Sequence, residues 1–209
     1  MVCKLLFFQP TFPTVDTDAL RKPNRFILSN VGGNLNINMG VTIHFEGKLK
    51  SNKDFETVMK ISTDFAEQND LDYLIFEEQY KILQRVKNEK EWDYKGLTRG
   101  IKITPAINSD PLWIEFDKDY YIQEFCKTQF ADSKVHIKII ELLKKIKPHF
   151  QELIVHDEGE YWDTGNTEIL QKHLNNCFRA IEDAKSENPN LSGPYKVKGE
   201  RIVDLLEND

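Results

Sequence analysis

Apolar residues show no sustained period over residues 1–38, and then they begin to alternate abruptly. From Gly40 to Lys50, Val41, Ile43 and Phe45 fall on one face while Thr42, His44 and Glu46 fall on the other, which predicts a strand with one buried side. Ser51, with Asp54 three residues on, makes a capping-box pattern. Phe55, Val58, Met59, Ser62, Phe65 and Ala66 then recur at helical spacing, so a helix is predicted to end near Asn69. Tyr73 to Phe76 reads as a short strand, and the stretch Glu77 to Lys95 is so charged that Ile82, Leu83 and Val86 support only a short helix. Ile101 to Thr104 and Leu112 to Phe116 predict an antiparallel pair joined through Pro105 to Pro111. Asp132 or Ser133 caps a helix that buries Val135, Ile139, Leu142, Leu143 and Ile146 until Pro148 ends it. A strand at Leu153 to Val155, a polar and aromatic loop from His156 to Gly165, and an amphipathic helix from Asn166 through Ile181 follow. The tail from Ser186, with Pro189, Gly193 and Pro194, predicts an arm or a small hairpin about Gly199.

Strands and helices in this order predict an α+β fold: a mixed, partly antiparallel sheet of about five strands with helices packed mainly on one face. A doubly wound nucleotide fold is disfavoured, because the glycine pair Gly32 and Gly33 precedes the first strand instead of joining it to a helix. The chain divides into an N-terminal extension (1–38), a single domain (39–185) and a C-terminal tail (186–209). The extension holds Pro10, Pro13 and Pro23 and the run Asn34 to Asn38. Val31, Gly32 and Gly33 match what a purine-rich ribosome-binding stretch would encode, so Met39 is expected to be the native start, with a genuine N-terminal arm as the alternative.

Composition narrows the function classes. The net charge is −6, and residues 1–38 carry Lys4, Arg21, Lys22 and Arg25 against Asp16 and Asp18, so the body is more acidic than the total. Such a body is unsuited to a phosphate backbone, which excludes nucleic acid as the main partner. Lys144, Lys145 and Lys147 read as a solvated helix face. Cys3, Cys126 and Cys177 are odd in number and widely spaced, which points to a reducing, cytoplasmic setting and to no zinc site. No apolar run approaches the ~20 residues of a membrane helix.

Three segments concentrate the candidate chemistry: MGVTIHFE from Met39, KTQFA from Lys127 and DEGEYWDTG from Asp157. In them the chain resembles a family of uncharacterised bacterial proteins with MGxxIHxxGxL, KTQFA and DEGxYWETG segments, departing at Asp163 where the pattern has Glu. The resemblance covers residues 39 to about 170. It implies an organisation and a start at Met39, and no activity.

Read chemically, Asp157, Glu158, Glu160 and Asp163 follow a strand closely enough to hold Mg²⁺ or Ca²⁺, or to raise one another's pKa for acid catalysis; alternatively they face water while Gly159 turns the chain. No other cofactor is indicated. His44 and Glu46 share a strand face with Thr42, and Lys127, Gln129 or the acidic loop would partner them if that face is covered. Cys126 is the thiol beside a charge, Lys127, and no nucleophile elbow is present. Two readings follow. One is a small acidic binding or regulatory protein, with an immunity or antitoxin type as one form of it, that meets a protein or ligand through Tyr161 and Trp162. The other is a small hydrolase-like enzyme using His44, Glu46 and the Asp157 to Asp163 carboxylates, with Mg²⁺ as an option, for which His44, Glu46, Lys127, Gln129, Asp157 and Glu160 are the catalytic candidates. Convergence of His44, Lys127, Gln129, Asp157 and Glu160 in one pocket would favour the enzyme.

Overall fold

The computed structural model describes residues 40–87, 90–197 and 200–207, so the expectations for residues 1–38 and for a start at Met39 lie outside the described residues. The chain runs β1 (Thr42–Leu49), α1 (Asn52–Gln68), β2 (Tyr73–Lys87), β3 (Lys90–Ile103), β4 (Leu112–Asp117), β5 (Tyr121–Lys127), α2 (Ser133–Ile146), β6 (Phe150–Asp157), the one-turn α3 (Tyr161–Thr164) and α4 (Thr167–Glu187). Four two-residue strands close it: β7 (Leu191–Ser192), β8 (Tyr195–Lys196), β9 (Ile202–Val203) and β10 (Leu206–Glu207).

The class is α+β, as the pattern predicts. The first six strands divide between two antiparallel three-stranded sheets, ordered β5-β1-β6 and β2-β3-β4, where one sheet of about five strands is expected from the sequence. The alternation of β1 holds from Ile43 onward, with Ile43, Phe45 and Leu49 buried and His44 exposed, whereas Thr42, expected on the polar face, is buried. Ser51 caps α1 by accepting the Asp54 N–H at 3.2 Å, and Asp132 caps α2 by accepting that of Lys134 at 2.8 Å. Val58 and Phe65 of α1, Ile139 and Leu143 of α2, and Ile101 and Phe116 of the second sheet complete one core with the inner face of β1. Each such burial contributes on the order of 1.5–3 kcal/mol. No helix among the described residues is long and apolar enough to cross a membrane.

The stretch Glu77 to Lys95 corrects the expectation of a short helix. It lies in a long hairpin paired from Tyr73↔Ile103 to Lys87↔Lys90. Leu83 and Arg85 are buried while Ile82, Gln84 and Val86 are exposed, a period of two hidden in the sequence because one buried position is an arginine. The register shifts between Glu78 and Lys81, opposite Gly96, whose φ is 157°. A Cβ on Gly96 would stand 2.8 Å from Tyr94 Oη, so only glycine fits there.

Beyond this bulge the hairpin reaches the other sheet. Val86 N–H donates to Gln123 Oε1 at 2.8 Å, and Gln123 Nε2 donates to the Val86 carbonyl at 2.7 Å, so one amide side chain substitutes for a backbone rung between β2 and β5. Strand β5 itself is absent from the sequence pattern because Glu124 sits among its inward positions, where it accepts from Arg201 Nη2 at 3.0 Å.

Gly199, about which the sequence predicts the tail to turn, lies outside the described residues. β8 pairs with β9 and β7 with β10, and the arm docks on the body, with Ile202 N–H donating to Asp110 Oδ1 at 2.7 Å and Arg201 Nη1 to the Phe125 carbonyl at 2.6 Å.

Candidate functional site

Among the described residues no helix covers the outer face of the β5-β1-β6 sheet, which carries two cross-strand rows. His44 lies between Phe125 and His156, with ring centroids 5.8 and 6.1 Å away, and Glu46 lies between Gln123 and Ile154. Glu46 Oε2 accepts from Tyr121 Oη at 2.9 Å and from Gln123 Nε2 at 2.5 Å. Burial and that bond to Glu46 push the Tyr121 hydroxyl up to about 12. His44 Nε2 stands 3.9 Å from Glu158 Oε1, and Glu158 Oε2 accepts the Thr42 N–H at 2.8 Å. Burial alone would raise the Glu158 carboxyl, but His44 and the Thr42 N–H outweigh it and hold the group below its ordinary value.

The distal half of the β2–β3 hairpin stands over this face and leaves an open groove of about 730 Å³. Ile82, Val86, Phe125 and Ile154 line it while remaining 60%, 52%, 40% and 51% exposed. His44, His156, Glu46 and Arg85 supply its polar groups. Arg85 is 1% exposed. Its Nη1 donates to the Gln123 carbonyl at 2.9 Å and its guanidinium carbon lies 5.3 Å from the Tyr121 ring centre. Its Nε and Nη2 are buried with no hydrogen-bond partner, and no carboxylate among the described residues forms an ion pair with it.

The six residues singled out from the sequence do not meet in one place. His44 and Glu46 stand on the groove. Lys127 Nζ and Gln129 Nε2 instead share Asp204 Oδ1, each at 2.8 Å, while Gln129 Oε1 accepts the Val41 N–H at 3.0 Å. This knot fastens the arm to β5; burial raises the Asp204 carboxyl and Lys127 opposes that rise. Glu160, in a left-handed conformation at φ 57°, is exposed and meets His173 Nε2 at 3.1 Å.

Asp157 is buried and fully engaged. It accepts the Gly159 N–H at 2.7 Å and the Trp162 N–H at 2.8 Å, and His136 Nε2 stands 3.0 Å from Oδ1, at ion-pair distance though poorly aligned for a hydrogen bond. Burial works against its charge, and His136 with the two N–H groups more than offsets it, leaving the carboxyl below its ordinary value. On the far side of His136, Nδ1 lies 2.7 Å from Thr128 Oγ1. Hydroxyl, imidazole and carboxylate thus follow the order of a nucleophilic relay. Thr128 and His136 are 1% and 0% exposed, so no substrate reaches the hydroxyl, and the set pins the β5–α2 connection and α2 to the end of β6.

No group of three or more His, Cys, Asp or Glu able to hold a metal ion stands together among the described residues. The four carboxylates of the acidic loop diverge: Asp157 and Glu158 serve backbone N–H groups, Glu160 meets His173, and Asp163 is exposed on α3. Tyr161 and Trp162, expected to face a partner, pack against the core. The Trp162 ring lies under Lys144 and Lys147 at 5.5 and 5.2 Å, so those lysines cover an aromatic surface in addition to meeting solvent. Cys126 faces the core, opposite Ile43, and burial drives its thiol pKa far up, which leaves it inert.

Sequence reasoning passed over Arg85, Gln123, Asp110 and Arg201. The one available signal was the alternation of Leu83 and Arg85 against Ile82, Gln84 and Val86, a strand pattern with an arginine on its inward row. Comparison with family models, with curated proteins and with solved structures finds no match, so the assignment of the site rests on its geometry.

Proposed function

We propose that this chain is a non-catalytic binding protein that takes an amphipathic small molecule into the groove between the β2–β3 hairpin and the outer face of the β5-β1-β6 sheet. The carrying observation is that Ile82, Val86, Phe125 and Ile154 expose apolar surface to one concavity of ligand size, with a buried arginine in its lining. Large apolar side chains left in water on a concave wall are what a ligand would cover, and the polar groups beside them fix its orientation.

The hydrolase reading has less support, because its six residues separate into a groove face, a tail knot, a buried pin and a surface pair. Titration with the amphipathic dye anilinonaphthalene sulfonate tests the binding reading. The folded protein should enhance its fluorescence saturably at one site, and Ile154→Asp, placed on the groove floor, should weaken that binding at least tenfold. Equal binding by the two proteins rejects the reading.

A further inference from the structure

The unpaired edge of Arg85 speaks to what the ligand carries. A guanidinium is planar, and its Nε and Nη2 form the side-on edge whose two parallel N–H groups match the two oxygens of a carboxylate. In Arg85 those two atoms are the ones without a partner, while Nη1 is spent on the Gln123 carbonyl. The nearby carboxylates are committed elsewhere: Glu124 to Arg201, Glu115 to Lys81, and Glu46 to Tyr121 and Gln123. One cationic group in the groove lining therefore lacks a direct anionic partner, beside apolar walls formed by Ile82, Val86 and Ile154.

We propose that the groove binds an amphipathic monocarboxylate, its acid pairing side-on with Arg85 Nε and Nη2 and its apolar body lying along Ile82, Val86, Phe125 and Ile154. The inference rests on the binding reading above and names the ligand class for that site. A single negative charge suits the surroundings better than a phosphate dianion, since Glu46 also lines the groove and Glu124 lies close enough to feel the charge of Arg85. Entry of the acid requires the groove-lining side chains over the guanidinium edge to part, because both nitrogens are shut off from solvent.

Calorimetric titration with four probes of one chain length, octanoate, methyl octanoate, octanol and octyl phosphate, tests this on the full chain. Octanoate should bind the wild-type protein at least tenfold more tightly than its neutral methyl ester, a comparison that needs no variant to fold. Arg85→Met should lose at least tenfold in octanoate affinity while keeping its affinity for octanol, and Arg85→Lys should fail to restore the loss because an ammonium lacks the planar fork. Equal affinity for octanoate and its ester, or equal octanoate binding by wild type and Arg85→Met, overturns the carboxylate assignment while leaving the groove as a binding site. Tighter binding of octyl phosphate overturns it in favour of a phosphate ligand. Binding of none of the four overturns this proposal and the binding reading together.

Discussion

The pin at the end of β6 and the groove under the hairpin each bury charge-bearing side chains, and they treat them in opposite ways. At the pin, Asp157 has two backbone N–H groups and His136, and His136 has Thr128. At the groove, Arg85 is equally buried but keeps one hydrogen bond and leaves two donor atoms unpaired. The first arrangement resembles chemistry and acts as structure; the second is hidden in a charged stretch that reads as a short helix and is the better site candidate. A buried donor without a partner costs roughly 1–3 kcal/mol relative to a satisfied one, so a protein retains it where something else is gained.

The sharpest test of the contrast is Asp157→Ala. It strands one buried and one half-buried N–H group and a buried imidazole at once, and removing one member of a buried ionic set costs about 3–5 kcal/mol. Urea unfolding should show a fall of that size. A loss under about 1 kcal/mol would mean that the set is loosely held, and the pin would become a candidate for movement and chemistry after all.

The bend that creates the groove is next. Gly96 has φ 157° and Tyr94 Oη stands where a Cβ would approach, so Gly96→Ala should cost about 1–3 kcal/mol through backbone strain. The hydrogen bond from Val86 N–H to Gln123 reports the position of the distal hairpin, and its amide should exchange faster in the variant. Unchanged exchange at Val86 would show that the hairpin is held over the sheet without help from the bend.

These two regions also show what was legible in the sequence. β1, α1, the end of β3 with β4, α2, β6 and α4 follow from apolar periodicity and capping residues, because most of their buried positions are filled by apolar side chains. The distal hairpin and β5 were not legible, because Arg85 and Glu124 occupy inward positions and break the pattern while meeting partners far away in sequence. His44 and Glu46 were identified from their shared strand face and do stand on the groove. Lys127, Gln129 and Asp157 were singled out as polar residues in dense segments, and their partners, Asp204, Val41 and His136, lie on other elements that no local spacing reveals.

Arg85→Met should separate the regions further, through a smaller effect. Replacing a buried charge that lacks an ionic partner by an apolar chain of similar length is neutral or stabilising in most buried sites, so the variant should lie within about 1 kcal/mol of wild type or above it. A loss near that of Asp157→Ala would mean that Arg85 is held by the electrostatics of Glu124 and Glu115 as a structural ion, and would erase the distinction drawn here.

The smallest effect is a slope rather than an offset. Burial raises the Asp110 carboxyl above its ordinary value, with Arg201, the Ile202 N–H and Lys127 opposing, whereas the Asp157 carboxyl is held low. For Asp157 the unfolded chain takes up a proton first as pH falls, so its stabilisation is full above about pH 4 and disappears below. For Asp110 the folded chain keeps its proton longer as pH rises, so its contribution is full below about pH 4 and declines above it. Asp110→Asn removes that decline. The variant's stability relative to wild type, from urea unfolding between pH 4 and 7, should therefore rise with pH, whatever constant offset the lost acceptor adds, because Glu124 and Asp204 titrate in both proteins. A flat or falling difference would place Asp110 with Asp157, as a carboxylate that the tail arm's Arg201 keeps fully ionised.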